Sequence, residues 1–397
     1  MQIAAARATV RPPPACRARR PIAVRCSKET EHLFRQRLQD KGWRAPKPAS
    51  IQLLHPVAQE AWASIHSIYS VCLETPLVPA PWLTELAGGG ASVHLKAEDR
   101  QAAGTAKTRG TAHKLFSLTD EQLARGVVAA STGNHALALM AAVAAAARQR
   151  GLPVPARFFL PRSADAGKLD KLWEAGAQFE LVGEDSAEAE AAAREAAGTT
   201  GATYVNSYND PAMVGGQGSI GVELLMQLPR GRLDAVFLPV GGGGLAAGVA
   251  AVLKSVDPSI HVVGCQPATA DLMSRSVAAG QAVHAEQPAA TLAEGSLPPG
   301  GRLEADAVTL EPCRRFVDEW VLVEERDIAQ AVLAMVSHTG MQVEAATGVA
   351  VAAYQKLARQ MRGKHCVIVA VGGNMTAEGM ERVYRVAGRA AAAGAPA

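Results

Sequence analysis

Along this chain, short runs of β-branched and aromatic residues alternate with alanine-rich stretches long enough to make helices. Val127-Val128-Ala129-Ala130 precedes Ala136 to Gln149, and Arg157-Phe158-Phe159-Leu160 precedes Lys168 to Ala175. The later half repeats the habit with Ala235-Val236-Phe237-Leu238 before a helix, His261-Val262-Val263-Gly264, and Cys366-Val367-Ile368-Val369 near the end. Strands joined through helices lie parallel. The pattern therefore predicts an α/β fold of open, mostly parallel sheets, with ligands at the carboxyl ends of the strands. A length of 397 residues allows two packed lobes, and 48% hydrophobic against 19% charged residues suits sheets covered on both faces. Ala187 to Ala197 reads as a surface helix, Ala390 to Ala393 as a frayed tail, and no internal repeat is found.

Charge and cysteine usage narrow the function classes. The formal charge is +3, with basic and acidic residues interleaved past the first segment, so no basic face for nucleic acid is expected. The longest apolar stretch, Asn134 to Ala147, is too short to span a bilayer, and no membrane segment is expected. Cys16, Cys26, Cys72, Cys265, Cys313 and Cys366 lack the paired spacing of a zinc site or a disulfide framework, which fits a reducing compartment. The start of the chain carries Arg7, Arg11, Arg17, Arg19, Arg20 and Arg25, three consecutive prolines and no acid before Glu29. Residues 1–28 thus read as a cleavable organelle-targeting leader, with a basic tail as the alternative. Ile22 to Ser27 resembles a plastid processing site, so the plastid stroma is expected; the mitochondrial matrix is second, because its leaders carry similar charge.

Three segments carry chemistry: a lysine in a polar loop at Lys107, Ser131-Thr132-Gly133-Asn134-His135, and Gly241-Gly242-Gly243-Gly244. Four glycines between a strand and a helix let backbone N–H groups approach an anion, and the helix start adds its positive end. Alone, such a run serves equally as a tight turn. Ser131 to His135 offers hydroxyl, amide and N–H donors for a carboxylate and a phenolate, although Ser131 or Asn134 can also simply cap the helix. A single lysine, taken by itself, is more often a solvated surface residue. The three together point to a phosphate-bearing ligand and a reactive amine.

Gly104-Thr105-Ala106-Lys107-Thr108-Arg109-Gly110 resembles the S-F-K-x-R-G loop of the serine/threonine dehydratase and serine racemase family. Ser131 to His135 resembles its S-x-G-N-H loop, and Gly241 to Gly244 its tetraglycine cup. Further matches follow in family order: Thr75-Pro76-Leu77, Lys96-Ala97-Glu98-Asp99, Gly216 to Gly221, Thr291 to Gly295, Glu344 to Gly348, and Gly372-Gly373-Asn374. Order and spacing over so many motifs are far more specific than any one of them. The resemblance implies the tryptophan synthase β-like arrangement of two α/β lobes that binds pyridoxal 5'-phosphate. It implies a large cofactor-binding lobe from 29–118 and 212–385, a small mobile lobe from 119–211, and a disordered tail from 386–397.

By the same resemblance, Lys107 holds the cofactor covalently, Asn134 bonds its ring oxygen, and Gly241, Gly242, Gly243, Gly244 and Leu245 bind its phosphate. Gly295, Glu344 and Val371 line the ring, while Ser131, Thr132, Gly133 and His135 take the substrate carboxylate. The implied reaction is loss of ammonia from L-serine or L-threonine, with a homodimer as the expected assembly. The K-x-R-G form disfavours β- and γ-replacement, because sulfhydrylases and threonine synthase carry K-D-R. A serine racemase, a lyase for a bulkier β-substituted amino acid, and a silent cofactor-binding protein stay open.

Three departures bear on the chemistry. Ala106 replaces the phenylalanine before the lysine, which widens the pocket or leaves it to another side chain. Val371 stands where a Ser or Cys meets the pyridine nitrogen, and it offers that nitrogen no side-chain hydrogen bond. Gln266 and Leu272 occupy the positions of the racemases' metal-binding Glu and Asp, with Asp271 one residue out of register, so no metal is expected.

Overall fold

The computed structural model describes residues 28–44, 46, 52–131, 133–164, 166–284, 290–298 and 301–393. The proposed leader up to residue 27, and Thr132 within the carboxylate-binding loop, lie outside the described residues. Ten strands are described: β1 Leu77–Pro79, β2 Ser92–Ala97, β3 Val127–Ala130, β4 Ala156–Leu160, β5 Gln178–Leu181, β6 Thr203–Tyr204, β7 Ala235–Pro239, β8 His261–Pro267, β9 Glu319–Val323 and β10 His365–Ala370. They make a six-stranded sheet in the order β1-β2-β10-β7-β8-β9 and a four-stranded sheet in the order β5-β4-β3-β6.

All pairings are parallel except β1 against β2. The antiparallel β1 lies at the sheet edge, where Pro79 leaves no interior ladder bond unmade. Strand β7 is buried along its whole length, as the near-continuous apolar run of a parallel strand requires. Its residues still alternate: Val236 and Leu238 enter one core and Ala235 and Phe237 the other. Val367 and Val369 of β10 follow the first core, and Cys366, Ile368 and Ala370 the second. Helices therefore cover both faces of this sheet. The smaller sheet has its own cores, with Val127, Phe158 and Leu160 on one side and Val128, Phe159 and Ala193 on the other.

Local signals set the helix starts. Thr119 and Gln122 form a reciprocal capping box on Asp120–Arg125. Asp210 accepts from Ala212 N and Met213 N to open the helix Pro211–Gln227, with Pro211 in its first turn. The last helix, Ala377–Ala393, continues through the segment read as tail, so residues 386 to 393 are helical. Alanine has the highest helix propensity, which outweighs the expectation of fraying drawn from the terminal position. Among the described residues no helix is long and apolar enough to cross a membrane.

Candidate active site

Three loops meet where strands of both sheets end. Ser131 follows β3, Gly241 follows β7 and Val371 follows β10, each at a carboxyl end. They line a cleft of about 880 Å³ together with Lys107, Asn134, His135, Gly295 and Glu344.

Lys107 begins the helix Lys107–Ser117, and the loop before it is stitched to the end of β10. Ala106 N donates to Val371 O at 2.8 Å, and Gly373 N donates to Gly104 O at 3.0 Å. Gly104 has φ +66°, and a Cβ there would sit 2.7 Å from Asn374 Oδ1, so this turn requires glycine. Two residues past Lys107, Arg109 anchors the helix in a fully buried ionic cluster. Its Nη2 donates to Glu98 Oε1 at 2.7 Å and its Nη1 to Glu223 Oε1 at 2.6 Å, while Lys96 Nζ donates to Glu223 Oε2 at 2.5 Å. Two cations face two carboxylates, and Thr75 Oγ1 donates to Glu98, so the cluster is charge-balanced. Lys107 itself is half-buried, and its Nζ makes no hydrogen bond or ion pair with a described residue. Burial pushes its pKa down from the ordinary lysine range, opposed by the Glu344 carboxylate.

The opposite walls are donors. Asn134 Nδ2 donates to Glu344 Oε2 at 2.6 Å, and Asn134 Oδ1 accepts from Asn374 Nδ2 at 2.8 Å, which leaves one Asn134 N–H unused by these bonds. Burial raises the Glu344 pKa, with the Asn134 bond opposing it. Ser131 Oγ accepts from Gly133 N at 3.3 Å. The His135 ring is buried and bonds Val205 O through Nε2 at 2.9 Å, while its Nδ1 has no partner among the described residues. Burial pushes His135 down to about 4, with Lys107 adding to the effect, so the ring is neutral with its proton on Nε2.

The glycine loop sits at the start of the helix Gly244–Val256. Gly243 has φ +86°, and Cβ atoms at Gly242 and Gly241 would lie 2.4 Å from Tyr208 and 2.9 Å from the Ser296 backbone. Only a chain without side chains there brings successive N–H groups to the cleft wall. Leu245 follows in the same wall, and Gly295 lies in the short turn Glu294–Ser296 across from it. Val371 reaches the cleft, its N–H donating to Thr347 Oγ1 at 3.1 Å. Every described site residue predicted from the sequence thus lies in one cleft.

Several cleft residues carried no predicted role. Tyr208 and Phe159 line it, and Gln217 adds a buried Oε1 without a described partner. Gln217 stands inside the quoted Gly216 to Gly221 motif, where its polarity between glycines was the available signal. At the rim Glu294 accepts from Lys168 of the helix Ala166–Glu174 at 2.5 Å and from Arg382 of the last helix. A free, half-buried amine, a glycine cradle and an orphaned polar atom facing one cleft fit a phosphorylated aldehyde cofactor.

Fold and site together define a two-lobed α/β enzyme that binds such a cofactor. The chain belongs to the pyridoxal-phosphate dependent enzyme family, whose model matches residues 69–372, and it binds pyridoxal phosphate. It is similar to L-threonine ammonia-lyase of Thermotoga maritima, 38% identical over 320 residues that cover 80% of this chain and 75% of the relative. A second relative, threonine dehydratase 1 biosynthetic, chloroplastic, of Solanum lycopersicum, is 33% identical over 81% of this chain, which spans 51% of that protein. Among solved structures, the processed form of threonine deaminase isoform 2 from Solanum lycopersicum matches with a TM-score of 0.75 at 30% identity, covering 84% of this chain and 88% of that one.

Proposed function

We propose that this protein is an ammonia-lyase that converts L-threonine or L-serine to a 2-oxo acid and ammonia. The observation that carries the reading is the free Lys107 amine in a cleft whose far wall is the glycine loop. The names of the Thermotoga and tomato relatives support the same choice.

When bound, pyridoxal phosphate supplies a carbonyl for the substrate's amine and a conjugated ring that accepts charge from Cα. Lys107 Nζ would hold the cofactor and, when free, would take the proton from Cα; burial lowers its pKa, which favours the neutral amine that both tasks need. Gly241 to Gly244 and Leu245 would hold the phosphate, and the remaining N–H of Asn134 would bond the ring oxygen. Gly295 and Glu344 would flank the ring, and Val371 would offer the pyridine nitrogen no side-chain partner. The Ser131 hydroxyl and the backbone N–H groups of Gly133 and His135, with Thr132 outside the described residues, would bind the substrate carboxylate, while the neutral His135 ring gives its one proton to the Val205 carbonyl. Closure of the small lobe, 119–211, would carry these donors inward and exclude water.

A cleft of about 880 Å³ with only Ala106 before the lysine also favours a lyase for a bulkier β-substituted amino acid. Incubating the cofactor-loaded protein with a panel of L- and D-amino acids, with 2-oxo acid, ammonia and enantiomers quantified, separates the readings. Rapid oxo-acid release from L-threonine or L-serine supports the lyase. D-serine formed from L-serine as fast as pyruvate overturns it in favour of a racemase, and no product from any substrate indicates a silent binder.

We also propose a plastid location, supported by the arginine-rich, acid-free start and by the chloroplastic name of the tomato relative. Import into isolated chloroplasts against mitochondria tests it. A homodimer is proposed on the family resemblance, and analytical ultracentrifugation tests that.

A further inference from the structure

The four-glycine loop is gripped from behind. Thr309 Oγ1 donates to the Gly242 carbonyl at 2.7 Å, and Cys313 Sγ donates to the Gly243 carbonyl at 3.7 Å. Just ahead of the loop, Gln266 Nε2 donates to the Val240 carbonyl at 3.3 Å and to the Ala270 carbonyl at 3.2 Å. Gln266 Oε1 accepts from Ser274 N at 2.9 Å, and two carbonyls opposite one N–H fix the direction of the amide. Gln266 is 1% exposed and Thr309 and Cys313 are 0% exposed, and none of the three lines the cleft.

A peptide unit is planar, with its C=O and N–H pointing in opposite directions. Holding the Val240, Gly242 and Gly243 carbonyls on the side away from the cleft therefore turns the N–H groups of Gly241, Gly243 and Gly244 toward it. The Gly243 carbonyl also accepts from Ala247 N at 2.8 Å, but among the described residues no backbone N–H donates to the Val240 and Gly242 carbonyls, and glycine backbone is free to adopt other orientations, so the loop needs outside restraint there. We propose that Gln266, Thr309 and Cys313 are positioning residues that aim these three N–H groups at the cofactor phosphate. The proposal rests on Gly241 to Gly244 receiving that phosphate, and it is independent of which amino acid the enzyme consumes.

The test is to strip the full chain of cofactor and titrate it with pyridoxal phosphate and with pyridoxal, which lacks the phosphate. Thr309→Val removes the donor at nearly constant shape, and Thr309→Ser keeps it. Thr309→Val should weaken pyridoxal phosphate about tenfold while changing pyridoxal far less, and Thr309→Ser should restore the wild-type ratio. Equal weakening of both ligands, or no weakening of either, overturns the proposal. Gly243→Asp serves as the control for the loop itself. If it abolishes the preference for the phosphorylated ligand while Thr309→Val does not, the loop assignment stands and the positioning role fails. If Gly243→Asp leaves that preference intact, the phosphate lies elsewhere and both fall.

Discussion

Asn134 Nδ2 donates to Glu344 Oε2 across 2.6 Å, tying the first residue of the helix Asn134–Arg150 to the residue that opens the helix Ala345–Leu357. The bond spans the two sheets' territories and leaves the Asn134 amide held at both ends, since Asn374 donates to its oxygen. Asn134→Ala should weaken pyridoxal phosphate about tenfold, because a positioned donor is lost and a buried carboxylate is left without its partner. Titration of the stripped protein checks this. Unchanged affinity would remove Asn134 from the cofactor site.

The free amine of Lys107 gives a second expectation. Borohydride treatment of the loaded protein should fix the cofactor to the peptide containing Lys107, with loss of the visible absorption band. Lys107→Ala should bind cofactor loosely and turn over no substrate. Label recovered on Lys168 or Lys171, the other lysines near the cleft, would reassign the attachment.

Much of this site was legible because its residues sit at strand ends, where β-branched runs such as Val127-Val128 and Val367-Ile368-Val369 announce the strand and glycines announce the turn. Other elements were hidden for physical reasons. The helix Pro211–Gln227 holds Gly215, Gly216, Gly218 and Gly221, residues of poor helix propensity, so its interior gives no helix signal. Its glycines answer to packing: a Cβ at Gly216 would lie 2.4 Å from Arg109 O, and one at Gly218 2.4 Å from Ala61 Cβ. The ionic cluster was equally hidden, since Glu223 meets Arg109 from 114 residues away and Lys96 from 127 residues away. Strand β6, two residues long, is too short to show a period.

That cluster yields a stability prediction. Glu98→Ala would leave Arg109 Nε in the interior without its carboxylate acceptor and Nη2 with one of its two. Breaking such a buried pair costs about 3–5 kcal/mol, against about 0–1 kcal/mol for an exposed pair. Urea unfolding should show that loss, whereas removing the exposed Arg157–Glu180 pair should change little. Equal, small effects would mean that the cluster is hydrated rather than dry.

Metal dependence is the fourth expectation. The Gln266 amide already joins Val240, Ala270 and Ser274, and among the described residues no group of three His, Cys, Asp or Glu side chains is placed to hold an ion. A chelator should leave activity unchanged and shift Tm by less than about 1 °C. A larger loss restored by magnesium or calcium would place a cation on backbone carbonyl oxygens.

The last expectation concerns pH, and its sign follows from His135. In the fold its pKa is pushed down to about 4, against 6.5 for the ordinary ring. Between these values the unfolded chain holds a proton that the folded chain does not, so acidification favours unfolding through this group. Its contribution to stability is therefore full above about pH 6.5, declines as pH falls toward about 4, and is constant below that. The span of the shift caps the loss near 3 kcal/mol, to order of magnitude. His135→Gln keeps an N–H for the Val205 carbonyl but cannot take up the proton. The variant should be less stable at neutral pH, and the gap to wild type should narrow as pH falls through that window. Urea unfolding of both proteins, stripped of cofactor, at a series of pH values reads the gap directly. Parallel curves would mean that the His135 ring titrates in the fold as it does in the unfolded chain.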